Sequence, residues 1–304
     1  MMFQGQRTLL FVFCLHLLHL AYHAANAQTA VLFGSNGMVG SEIYQSLMRQ
    51  KKESVNDRSS PFWKQIILIG RRWKQEQIIE ESKIAEKSKP IVTRIQISDL
   101  NEITTNKKLQ KIKADVCIIA VGMGKPHESN LHDWHHLEVE ITATIASVCK
   151  KMKVSTISLL SSADSQMDAL PFSEEEVMNK NDPALGWWGF LVHYFRMKGL
   201  AEQAVASSDI SSVRIFQPSN IVTETIRYGW VDWTIFKISP FLDAILPAFY
   251  HSVPVKLLGM AFARDAMSMI DLKSHEKGVT ALTYNDFIKI AGEQYDALQK
   301  SQEL

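Results

Sequence analysis

The feature that most constrains this chain is a short apolar run that breaks into spaced glycines and resumes at helical spacing. Ala30, Val31, Leu32 and Phe33 form the run. Gly34-Ser35-Asn36-Gly37-Met38-Val39-Gly40 follows as G-x-x-G-x-x-G, and Val39, Ile43, Leu47 and Met48 then recur with a helical period. Strand, glycine turn and helix in that order form the context in which such a motif binds a dinucleotide. Gly34 allows the chain to turn. Gly37 allows a pyrophosphate to approach the backbone of Ser35, Asn36 and Met38, and Gly40 allows the helix to pack close to the strand. The helix N-terminus then presents its first N–H groups to the phosphates.

Further strands alternate with helices. Ile66-Ile67-Leu68-Ile69-Gly70 ends in Arg71-Arg72. A site for NAD carries an acidic residue near this strand end, bonded to the ribose 2′-hydroxyl. Two guanidinium groups instead match a 2′-phosphate, so the expected cofactor is NADP(H). Val92 to Gln96 predicts a third strand, with the following Asp99 facing the adenine edge. Ala114 to Val121 is almost continuously apolar, as in a parallel strand buried on both faces. It ends in Gly122-Met123-Gly124, so Val121 and Gly122 are expected against the cofactor. A helix is predicted from about Ser129 to Met152, then a strand from Ser155 to Leu160 that closes with Ser161-Ser162. The expected fold class is α/β: a Rossmann-type doubly wound parallel sheet with helices on both faces. In such sheets ligands lie at the carboxyl ends of the strands, where all these motifs fall.

Tyr194-Phe195-Arg196-Met197-Lys198 reads Y-x-x-x-K at the start of a predicted helix. At i and i+4 the two side chains share a face. The ammonium of Lys198 favours the phenolate form of Tyr194, which moves that group toward proton transfer at neutral pH, and Lys198 can also bond the nicotinamide ribose. Ser161 or Ser162 would hydrogen-bond the substrate carbonyl oxygen; spacing leaves both open. His127, His132, His135 and His136 read as a polar helix surface, since no cysteine or paired carboxylate completes a metal-ligand set. No metal is expected.

With these residues in place, the chain resembles the atypical short-chain dehydrogenases/reductases related to the Tat-interacting protein. The similar segments run in the same order: Val31 to Gly37, Leu68 to Arg72, Leu159 to Ser162, Tyr194 to Lys198, Val213 to Pro218 and His251 to Val255. The resemblance implies NADP(H) held by the glycine loop and arginines, Tyr194 as proton donor, and a substrate side built by residues after about 218. Three features depart from that family. The loop between Ser162 and Tyr194 is longer, with Glu174, Glu175 and Glu176 and an aromatic cluster of Trp187, Trp188 and Phe190. Lys51 to Trp63 reads as an insertion. The N-terminus carries a secretory signal.

That signal occupies residues 1–27: Arg7, the apolar Leu9 to Leu20, and a small-x-small cleavage site at Ala25-Asn26-Ala27. The run is shorter than the roughly 20 apolar residues of a stable membrane span. The terminal Ser301-Gln302-Glu303-Leu304 resembles a retention signal of the Lys-Asp-Glu-Leu class. Together they place the protein in the endoplasmic reticulum lumen, with secretion, or the cytoplasm if the N-terminus is no signal, as alternatives. Residues 28–304 are read as a single cofactor-binding domain. Against an oxidising compartment stand the 3 cysteines. Cys14 leaves with the signal, and Cys117, in an apolar strand, is expected to act as a small hydrophobe.

With a net charge of +1 the chain has no global field for nucleic acid or anionic membranes. The expected partner is a small carbonyl or alcohol substrate. The competing function is a regulatory protein that senses NADP(H) and binds a protein partner without turnover. Oligomeric state is not encoded in these patterns.

Overall fold

The computed structural model describes residues 28–51, 60–71, 89–123, 129–178, 186–223, 243, 245–271 and 277–302. The proposed signal, residues 1–27, lies outside them, as do Arg72, His127, Glu303 and Leu304.

In chain order the elements are β1 (Thr29–Phe33), α1 (Met38–Arg49), β2 (Gln65–Gly70), β3 (Ile91–Gln96), β4 (Val116–Ile119), α2 (Leu131–His135), a π turn (His136–Glu140), α3 (Ile141–Lys151) and β5 (Thr156–Leu160). Then follow α4 (Glu174–Met178), α5 (Gly186–Ala206), β6 (Ser212–Phe216), β7 (Ile221–Val222), β8 (Val253–Pro254), α6 (Val255–Asp271), β9 (Gly278–Leu282) and α7 (Tyr284–Gln302). Seven strands form one sheet in the order β3-β2-β1-β4-β5-β6-β9, and every neighbouring pair is parallel. The chain starts in the middle of the sheet, runs to one edge through β2 and β3, and returns to build the other half. The reversal lies between β1 and β4.

The apolar strands alternate between two cores, as period-2 geometry requires. Ala30, Leu32, Ile66, Leu68, Val116 and Ile118 face one layer, where Val39, Ile43 and Leu47 of α1 and much of α6 pack. Val31, Phe33, Ile67, Ile69, Cys117 and Ile119 face the other, against Ile141, Ile145 and Cys149 of α3 and Ala201 and Val205 of α5. Both faces are covered, which is why β1, β2 and β4 read as unbroken apolar runs. Phe216 stacks on Phe262 of α6 with centroids 3.6 Å apart, which anchors the first layer to β6.

Two sequence expectations need correction, and two others gain detail. Cys117 and Cys149 are bonded as a disulfide, with Cα atoms 6.2 Å apart. The strand period and the helix period bring both sulfurs to one layer, so Cys117 is not merely a small hydrophobe. Phe62 and Trp63, at the end of the stretch read as an insertion, are core residues. The helix expected from about Ser129 to Met152 is present as one continuous helical run from Leu131 to Lys151, whose middle, His136–Glu140, is wound as a π turn. The Tyr194 helix does not start there; α5 begins at Gly186, so the tyrosine stands inside it. Trp187, Trp188 and Phe190 therefore lie on this helix.

Candidate functional site

The glycine loop joins β1 to α1 at the carboxyl end of the sheet. Gly34 has φ +85°, and a Cβ there would lie 2.5 Å from the carbonyl oxygen of Ala120, which follows β4. A Cβ on Gly40 would lie 2.2 Å from the Gly34 carbonyl oxygen, so helix and turn touch backbone to backbone. A Cβ on Gly37 would meet nothing closer than 3.3 Å. That glycine keeps open a space over the ends of β1 and β4. Gly37 also caps α1 without any side-chain hydrogen bond, and the first turn carries no acidic residue. The side chain of Ser35 is buried, and its hydroxyl has no hydrogen-bond partner among the described residues. A helix N-terminus without a side-chain cap, an unpartnered buried hydroxyl and a cradle that a Cβ would narrow fit a dinucleotide pyrophosphate. Asn36 and Met38 complete this loop.

Arg71 follows the last residue of β2 and is exposed. Its position beside the glycine turn is fixed by the β1–β2 pairing, in which Phe33 lies opposite Ile69. One oxygen of the Asp99 carboxylate accepts the Asn101 N–H at 2.9 Å and caps a 3-10 turn, Leu100–Thr104.

The Y-x-x-x-K pair lies on α5. Tyr194 is partly buried, and its ring packs against that of Trp134 with centroids 6.1 Å apart. Lys198 is buried, and its Nζ donates to Glu138 Oε2 at 2.8 Å. The sequence pointed to Tyr194 and a ribose as its partners; the Nζ lies 5.8 Å from the Tyr194 ring centroid, and the hydrogen bond to Glu138 was not anticipated. Burial alone would pull the ammonium's pKa down. Glu138, with Tyr194 and Glu202 adding to it, outweighs that and holds Lys198 above the ordinary lysine range. The other oxygen of Glu138 accepts the N–H of Met123 at 2.7 Å. One carboxylate thus joins the lysine to the stretch containing Val121 and Gly122. A Cβ on Gly122 would lie 3.2 Å from Glu138 Oε1, so the glycine makes room for this contact.

Both serines after β5 are buried, with different surroundings. Ser161 donates its hydroxyl to Glu202, a carboxylate without exposed surface. Ser165 and the Gln217 amide also donate to Glu202, the latter at 3.0 Å. Ser162 stands outside that network. Glu202 was not anticipated, although Tyr194, Lys198 and Glu202 recur at i, i+4 and i+8, which is a readable signal.

Two further residues shape the loop after Ser162. Gly199 packs directly beneath it: a Cβ there would lie 1.8 Å from the Gln166 carbonyl oxygen, and the Gln166 N–H donates to the Phe195 carbonyl at 3.2 Å. Arg196, between Tyr194 and Lys198, donates to the carbonyls of Leu170 and Pro171 at 2.8 and 2.7 Å. It also pairs with Glu176 at 3.2 Å and covers the Phe172 ring. The acidic run is therefore anchored: Ser173 and Glu176 bond each other at the start of α4, and Arg196 holds that helix against α5. From the segment after Pro218, Tyr250 donates to Asp164 at 3.0 Å.

The histidines pair locally. His132 contacts Asp133, while His135 and His136 both contact Glu140. The His136 hydrogen bond to Glu140 holds that carboxyl below its usual range. Among the described residues no group of three or more His, Cys, Asp and Glu is arranged to hold a metal ion. No helix there is long and apolar enough to cross a membrane.

Residues 32–256 match the model of an NAD-binding family described as Male sterility protein. No curated protein matches the sequence. Among solved structures, the chain is similar to the yeast methylglyoxal/isovaleraldehyde reductase Gre2 complexed with NADPH, at 14% identity and a TM-score of 0.53, covering 84% of this chain and 78% of that one. It is also similar to a UDP-Glc/GlcNAc 4-epimerase from Campylobacter jejuni, at 16% identity and a TM-score of 0.52, covering 86% and 82%. A putative NAD-dependent epimerase/dehydratase from Bacillus halodurans is 14% identical with a TM-score of 0.50, covering 88% of this chain and 100% of that one. At these identities the likeness is one of fold: a parallel α/β sheet with helices on both faces.

Proposed function

Because the chain belongs to the NAD-binding family described as Male sterility protein, we propose that it is an NADP(H)-dependent oxidoreductase acting on a carbonyl or alcohol. Within the short-chain dehydrogenases/reductases we place it near the atypical members related to the Tat-interacting protein. The observation that carries the reading is the position of Lys198: on the face of α5 that bears Tyr194, and tied through Glu138 to the backbone just beyond β4. This supports an acid–base role for Tyr194 and Lys198 beside the end of the sheet where the glycine loop stands. The NADPH in the Gre2 structure supports the cofactor class, and Arg71-Arg72 supports the phosphorylated form.

A dinucleotide held here would supply or take the hydride. Gly34, Ser35, Asn36, Gly37, Met38 and Gly40 hold its pyrophosphate, Arg71 and Arg72 its 2′-phosphate, and Val121 and Gly122 the surface between. Tyr194 gives a proton to the substrate oxygen in reduction and takes one in oxidation. Lys198 stabilises the phenolate that remains. Ser162 is the serine we assign to the substrate oxygen, because the Ser161 hydroxyl is already given to Glu202. The segment after Pro218 forms the substrate side, a placement supported by the Tyr250–Asp164 bond.

Tyr194→Phe tests the reading, since it removes one hydroxyl and keeps the ring. Turnover of a carbonyl panel with NADPH falls by about 10²–10⁴-fold, the usual contribution of general acid–base catalysis. NADPH affinity stays near wild type. If no carbonyl or alcohol is turned over, or turnover survives the substitution, the enzyme reading fails. A cofactor-sensing binder would instead keep its biological output in Tyr194→Phe.

We also propose residence in the endoplasmic reticulum lumen, from residues 1–27 and the Ser301–Leu304 tail. The Cys117–Cys149 disulfide supports an oxidising compartment.

A further inference from the structure

Three local irregularities converge on Glu138. The chain passes through a π turn at His136–Glu140 instead of continuing as an α-helix, and Glu138 lies within that turn. Such turns are uncommon and concentrate at functional sites. Gly122 stands where a Cβ would press on the Glu138 carboxylate. The carboxylate and the ammonium of Lys198 are both taken almost fully out of water, with side-chain exposures of 4% and 8%. A buried ion pair is a poor way to gain stability, since apolar residues of similar volume usually serve as well or better. Its cost calls for another reason, and its position between Lys198 and the Met123 N–H gives one.

We propose that Glu138 is a positioning residue for cofactor binding: its carboxylate fixes the Lys198 ammonium and the Gly122–Met123 backbone in one geometry, which makes dinucleotide affinity depend on the charge at Glu138. This rests on the NADP(H) reading above. Lys198 is faced by Glu138 from the π turn and by Tyr194 and Glu202 from its own helix. Removing the Glu138 charge leaves the burial in place and takes away the nearest counter-charge. The ammonium then loses its proton at a lower pH than in the wild-type protein. Below that pH the lysine still donates as a cation, and above it the cationic donor is gone.

The test is an NADPH titration, followed by nicotinamide fluorescence, on the full processed chain between pH 7 and pH 9.5. Circular dichroism of each variant checks folding. Wild-type affinity is level across the range. Glu138→Gln loses affinity progressively as pH rises, reaching about tenfold, the equivalent of one charge-assisted hydrogen bond. Glu138→Asp keeps the charge, so its affinity loss is the same at every pH. Lys198→Met binds weakly and without pH dependence, and adding Glu138→Gln to it changes nothing more. Glu138→Gln that folds and binds like wild type at all pH values, or loses the same factor at each, overturns the proposal. If Glu138→Gln does not fold, the aspartate variant decides, and a pH-dependent loss there overturns it. Absence of NADPH binding by the wild type is a different failure, that of the cofactor reading itself.

Discussion

Ser161 and Glu202 form a buried donor–acceptor pair, in which the serine after β5 hands its hydroxyl to a carboxylate one turn beyond Lys198. A hydroxyl so committed cannot also orient a substrate oxygen, whereas Ser162 stands next to it and outside the network. Ser162→Ala should therefore cost about 10²–10³-fold in turnover, the loss for one donor to a developing oxyanion, at little cost in stability. Ser161→Ala should cost about 1–3 kcal/mol of stability, because it removes one donor from a buried carboxylate, and should affect turnover far less. Steady-state kinetics with urea unfolding of both variants separates the two. The opposite pattern would exchange their roles.

Gly37 and Gly40 should fail in different ways. Gly37→Val fills the space kept open above β1 and β4, so NADPH binding is lost while the circular dichroism spectrum is retained. Gly40→Ala drives a methyl into the Gly34 carbonyl, so the thermal midpoint falls before any question of binding arises. Calorimetric titration beside thermal melts distinguishes them. Normal NADPH binding by Gly37→Val would move the loop to a purely structural role.

Cofactor preference should reside at the end of β2. The wild-type chain binds NADPH about tenfold to a hundredfold more tightly than NADH, corresponding to about 1.5–3 kcal/mol for charge-assisted contacts to the 2′-phosphate. Arg71→Ala combined with Arg72→Ala removes the difference mainly by weakening NADPH. Parallel fluorescence titrations measure both. Equal wild-type affinities would refute the assignment.

The processed chain should begin at Gln28 and carry the Cys117–Cys149 bond. Its first residues already belong to the sheet: the Gln28 carbonyl accepts from Lys64 and Gln65, and the Thr29 N–H donates to Asp115 at 2.7 Å. N-terminal sequencing and non-reducing peptide mapping of protein from cells test both points. An intact N-terminus with two free thiols would argue for the cytoplasm. Retention that persists after deletion of Ser301–Leu304 would remove that tail as the cause.

The sheet was legible because parallel strands buried on both faces leave unbroken apolar runs, and Val31, Ile67 and Cys117 are typical of them. The glycine turn was legible because backbone contact excludes a Cβ, and that exclusion is written directly in residue type. Glu138 was hidden for the opposite reason. In His135-His136-Leu137-Glu138 it looks like any solvated helix residue, and only the π turn rotates it inward. Trp63 was hidden because it follows a stretch without a readable period, and residue type alone gives no depth for a tryptophan there. Cys117 and Cys149 are 32 residues apart, and their meeting depends on how α3 crosses β4. The choice between Ser161 and Ser162 required knowing where Glu202 points.

The contact between Gly34 and the Ala120 carbonyl has a consequence for how such a protein can diverge. The turn after β1 and the exit from β4 interlock through backbone atoms, so neither can change without the other, and substitutions there are removed for reasons of folding alone. Arg71, one strand away and exposed, carries no such constraint. If Arg71 sets the cofactor preference as proposed, exchange of one cofactor for the other is open to drift at the periphery, while the turn that would hold any dinucleotide changes only as a single rigid piece.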